Sequence, residues 1–108
     1  MSILVYIESN RNQIKKSSFE SLSYAKKLSN LISLDVIAVV INCSELAPLS
    51  DFGPDKIISI NEKKLETFNA HNYADVISNV SKSVSAKNII ISDSINCKYL
   101  ASLLSVKL

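Results

Sequence analysis

Apolar positions along the chain follow two rhythms, short unbroken runs and longer stretches at helical spacing. Ile3-Leu4-Val5-Tyr6-Ile7 is an unbroken run of mostly β-favouring residues and predicts a strand covered on both faces, as in a parallel sheet. Polar Glu8 to Gln13 predicts a loop. Phe19, Leu22, Ala25, Leu28 and Leu31 or Ile32 then recur at helical spacing, with Lys26, Lys27 and Asn30 on the other side. Ser17-Ser18-Phe19-Glu20 at the start of that stretch carries the capping-box pattern, with the Ser17 hydroxyl accepting from the Glu20 amide.

Asp35 to Ile41 is a second apolar run, and the helix between the two runs makes a right-handed βαβ unit by strong default. Ser44 is placed to cap a short helix that ends at Gly53, although Pro48 lies inside it. Lys56 to Ile60 predicts a third, less uniformly apolar strand, and Asn61 to Phe68 a polar connection. Tyr73, Val76, Ile77, Val80 and Val84 form the cleanest helical stripe in the sequence. Asn88 to Ser92 predicts the fourth strand, and Asn96 the cap of a last helix with Leu100, Leu103 and Leu104 turned inward.

Strand and helix alternating at these lengths specify an α/β fold, a three-layer α/β/α sandwich around a mainly parallel sheet. The expected strand order is 3-2-1-4, because a reversal of winding at the first strand lets helices cover both faces. A fifth strand belongs beside the fourth, and no segment before Leu108 supplies it. The expectation is therefore a domain incomplete at its carboxy-terminal end, with an exposed sheet edge that favours association or lowers stability.

Composition narrows the picture. With 108 residues, 47% of them apolar, the chain can bury one core. Twelve basic and ten acidic residues are dispersed, giving a net charge of +2, and Arg11 is the sole arginine. Such a surface lacks the basic stripe and guanidinium forks of a nucleic-acid reader. No apolar run approaches the ~20 residues of a membrane span, and the first strand starts too early to leave room for a leader, so a cytoplasmic protein is expected. Cys43 and Cys97 share no metal-ligand or redox spacing and read as reduced thiols.

Candidate chemistry is sparse. Gly53 is the single glycine, which removes both the dinucleotide fingerprint and the phosphate loop. Two segments fall at the carboxyl edge of the sheet, where open α/β sheets bind ligands: Glu8-Ser9-Asn10-Arg11-Asn12-Gln13 and Ser92-Asp93-Ser94-Ile95-Asn96. The first reads as a solvated loop with ligand contact as the alternative; in the second, capping is weighed against anion binding, which Asp93 opposes. His71 has no specified partner and reads as exposed, whereas Tyr24 and Tyr73 read as core or core-edge residues. Glu62-Lys63-Lys64 and Lys15-Lys16 read as solvated surface. No catalytic, cofactor-binding or metal residue is assigned.

The order of segments is more telling than any one of them. Ile3 to Glu8, Lys16 to Ala25, Asp35 to Ile41, Phe52-Gly53-Pro54-Asp55-Lys56-Ile57 and Asn69-Ala70-His71-Asn72-Tyr73-Ala74-Asp75 together resemble the amino-terminal domain of the electron transfer flavoprotein α subunit. The departure lies in Ser94 to Leu103, where Cys97 stands for a glycine and Tyr99 for an aspartate while Lys98 and Leu100-Ala101 keep the pattern.

The resemblance implies the adenine nucleotide alpha hydrolase-like fold and a structural, docking role beside a β subunit. It also implies a heterodimer that carries electrons from acyl-CoA or other flavoprotein dehydrogenases to a quinone reductase. FAD would be held by a carboxy-terminal domain not present in these residues, with no cofactor expected for this chain and no enzymatic activity of its own. The alternatives are a small nucleotide-binding module of the universal-stress-protein type and an inactive truncated remnant.

Overall fold

The computed structural model describes residues 2–10, 12–92 and 94–107. Its elements in chain order are β1 (Ser2–Ile7), the two-residue strands β2 (Ser9–Asn10) and β3 (Gln13–Ile14), α1 (Lys16–Ile32), β4 (Asp35–Ile41), a 3-10 turn over Ala47–Phe52, β5 (Lys56–Ile60), a second 3-10 turn over Lys63–Leu65, α2 (Ala70–Ser83), β6 (Ala86–Ile90) and α3 (Ile95–Lys107). The main sheet has the order β5-β4-β1-β6, all neighbours parallel. In terms of the four apolar runs this is the expected order 3-2-1-4. Arg11, Asp93 and Leu108 lie outside the described residues.

Alternation of side chains along β1 builds the two layers of core. Ile3, Val5 and Ile7 join Val36, Ala38 and Val40 beneath Leu22 and Ala25 of α1. Leu4 and Tyr6 join Ile37, Val39 and Ile41 on the opposite face, beneath Tyr73, Ala74 and Ile77 of α2 and Leu100 and Leu104 of α3. Every residue of β1 is buried, which explains its unbroken apolar run. β6 is an edge strand of the described sheet and its residues are only half-buried or exposed.

Several local expectations are corrected. The fourth strand runs Ala86–Ile90, two residues earlier than Asn88 to Ser92, because Ala86 pairs with Ser2. Ser17 does not cap α1: the helix begins at Lys16, Lys15 takes the cap position without a side-chain bond, and the Ser17 carbonyl accepts from the Ser21 hydroxyl. Ser44 does not cap the segment ending at Gly53, which is a 3-10 turn starting after Leu46. Gly53 does end it, at φ 71°, the left-handed conformation only glycine takes without strain.

At the last helix Ser94, not Asn96, accepts from the amide of Cys97 at 3.1 Å. Tyr24 is 60% exposed and Leu31 83% exposed, so the apolar stripe of α1 stops at Leu28. The polar connection from Asn61 to Phe68 contributes a fully buried Leu65, which the Tyr73 hydroxyl fixes by donating to its carbonyl at 2.7 Å.

Candidate functional site

In a parallel sheet the loops after each strand gather at one edge, and here they bring together residues far apart in sequence. Glu8 follows the last residue of β1 and is 4% exposed. Its backbone is held by α1: the Ser18 hydroxyl accepts from the Glu8 amide at 2.7 Å and donates to the Glu8 carbonyl at 3.3 Å, and the Lys15 amide donates to that carbonyl at 2.9 Å. The carboxylate is turned toward the start of α3. Its Oε2 accepts from Ser94 Oγ at 3.1 Å and lies 3.4 Å from Lys15 Nζ, and its Oε1 receives the Cys97 thiol at 3.7 Å.

A buried carboxylate without partners would be costly, and this one is offset by an ammonium, a hydroxyl, a thiol and the positive end of α3.

Beside Glu8 a cleft of about 260 Å³ is lined by Tyr6, Lys15, Asn10, Glu66, Phe68 and Asn96, among others. Tyr6 shares a face of β1 with Glu8, and its ring meets Tyr73 edge-on with centroids 6.4 Å apart; Phe68 closes the group 4.9 Å from Tyr73. Burial raises the Tyr6 phenol above the ordinary tyrosine value, with Tyr73, Cys97 and Glu8 adding to the rise, and burial raises Tyr73 as well. Both hydroxyls therefore stay protonated at neutral pH.

Tyr73 uses its proton on Leu65. No described residue takes that of Tyr6, and no side-chain polar atom among the described residues is sealed off without a partner, so the Tyr6 hydroxyl opens into the cleft.

The Glu8 to Gln13 loop is thus more ordered than its polarity implies. Ser9–Asn10 and Gln13–Ile14 form a small antiparallel ribbon. Asn12, at φ 64°, accepts from the Ser44 amide at 2.7 Å, tying the ribbon to the end of β4. Ser92 and Ser94 join the same edge, Ser92 through its hydroxyl 3.4 Å from Cys97 Sγ. His71 is exposed in the first turn of α2, and Glu62, Lys63 and Lys64 are exposed as expected. Cys43 and Cys97 are both buried free thiols.

Sequence reasoning placed Glu8 in a solvated loop, with ligand contact as the alternative, and Tyr6 in a buried strand, and joined neither to a cleft. The i, i+2 spacing turns both to one side of the extended chain, but nothing local marks Glu8 as buried.

The Cys97 thiol donates to the Glu8 carboxylate, and no group of metal-ligating side chains occurs among the described residues. Fold and site together define a parallel α/β sandwich with a polar cleft where the strands end. Residues 3–108 match the electron transfer flavoprotein domain, and the chain belongs to that family.

A universal stress protein from Archaeoglobus fulgidus is similar in fold, with a TM-score of 0.64 and 13% identity over 99% of this chain and 92% of that one. At that identity the likeness concerns the fold alone. Comparison with curated proteins finds no match. No helix among the described residues is long and apolar enough to cross a membrane.

Proposed function

We propose that this chain is the amino-terminal docking domain of an electron transfer flavoprotein α subunit, pairing with a β subunit to form the electron carrier. The match to the electron transfer flavoprotein domain across residues 3–108 carries the reading. The exposed apolar side chains of α3, with Ile95 75%, Tyr99 66% and Val106 84% exposed, support a role in assembly.

Family membership implies FAD, and the cleft beside Glu8 does not fit it. The cleft is smaller than the ~300–1,000 Å³ usual for drug-sized ligands, and FAD is larger than most of those. Glu8 and Glu66 would also oppose its pyrophosphate. In this reading the flavin belongs to a carboxy-terminal domain, and these residues support the partner while that domain carries the redox chemistry.

Mixing the chain with a matching β subunit should give co-elution on size exclusion. A chain that circular dichroism shows to be folded, yet that elutes separately, would count decisively against the reading. Titration with ATP and AMP separates it from a nucleotide-binding module of the universal-stress-protein type. The docking domain gives no heat, and micromolar binding would favour the module.

A further inference from the structure

The cleft beside Glu8 has features that docking does not use. Its wall carries Glu8 and Tyr6, each a residue only 4% exposed, and the Tyr6 hydroxyl has no hydrogen-bond partner among the described residues. A buried polar group left open to a cleft is placed to meet a ligand.

The ligand's charge follows from the lining. Among the described lining residues, Glu8 and Glu66 face one cation, Lys15, so that lining favours a positive group over an anion.

The fold already displays the contact. The Lys15 ammonium lies 3.4 Å from Glu8 Oε2, carried by a side chain 40% exposed and free to swing outward. Lys15 thus acts as a built-in stand-in at the carboxylate, and an incoming ammonium would compete with it. We propose that the cleft binds the primary ammonium group of a small aliphatic amine, held by the Glu8 carboxylate and the Tyr6 hydroxyl oxygen and gated by Lys15. The inference does not rest on the subunit reading.

The test uses the full chain, with butylammonium chloride as the probe and sodium butyrate as the anion of matching shape, at constant ionic strength. Binding is followed by amide chemical shifts. Butylammonium should shift the amides around Glu8, Tyr6 and Ser94, and butyrate should shift none of them. Lys15→Met removes the competitor and should tighten butylammonium binding severalfold, whereas an anion site would be weakened by the same change.

Glu8→Gln keeps the shape and loses the charge, and should weaken binding about tenfold or more. Should that variant fail to fold, Tyr6→Phe, which keeps the ring packing, should still weaken binding. No shifts with butylammonium in the Lys15→Met chain, binding of butyrate, or unchanged affinity in Tyr6→Phe would each overturn the proposal.

Discussion

Tyr6 shows how a single residue on a core strand acquires a chemical character its sequence neighbours do not announce. Burial, aided by Tyr73, Cys97 and Glu8, raises its phenol above the ordinary value of about 10. An unfolded tyrosine ionises near that value while the folded one keeps its proton, so above about pH 10 the folded state binds more protons than the unfolded state. Stability is then complete below that pH and falls as pH rises through it. Urea unfolding at mildly and strongly alkaline pH should show this loss, and Tyr6→Phe should reduce it. Equal losses in both chains would show that Tyr6 does not carry the effect.

The pattern of β1 revealed that Tyr6 was buried. It did not reveal that Glu8, two residues on, was buried with it, because the compensating Ser94 and Cys97 lie 86 and 89 residues away. Long-range pairing of this kind leaves no local spacing to read.

Between elements, the join of β1 to α1 depends on Ser18. It is fully buried, and its one hydroxyl serves both the amide and the carbonyl of Glu8. Ser18→Ala leaves that amide buried without an acceptor and should cost about 1–3 kcal/mol. Chemical denaturation measures it, and a loss of a few tenths would mean that the join relaxes.

Element types were legible wherever side-chain periodicity decided them. β1, β4 and β5 fall where their apolar runs place them, and the α2 stripe is buried at Tyr73 and Ile77. Helix starts were less legible, since Ser17 satisfied a local pattern while its neighbour Ser18 was needed by the tertiary structure. The end of α1 was overread for a related reason: Leu31 and Ile32 continue the spacing beyond the last residue that the sheet can cover.

At the scale of the whole molecule, the two faces of the sheet are finished to different degrees. α1 covers β1 and β4, while α2 and α3 share the other face and reach out to β6. Ile89 of β6 and Ile91 just after it therefore pack on the helical side, and Ile90 is only partly buried on the α1 side. Lys87, exposed on the same strand, places a charge on the edge, a common safeguard against pairing with other chains.

The placement of β1 between β4 and β6 also governs how the chain comes together in time. The β1–α1–β4 unit closes over a short stretch of sequence, whereas seating β6 joins Ser2 to Val84, 82 residues apart, through a hydroxyl bond of 3.0 Å. Closing the longer loop costs more entropy and raises contact order, so β6 docks last and detaches first. Native-state hydrogen exchange should therefore find β4 amides protected to the level of global unfolding and β6 amides exchanging by a cheaper opening. Equal protection of the two would mean that the sheet opens only as a whole. A strand that arrives late in this way sets the rate at which the first residues of the chain become committed to the centre of the fold.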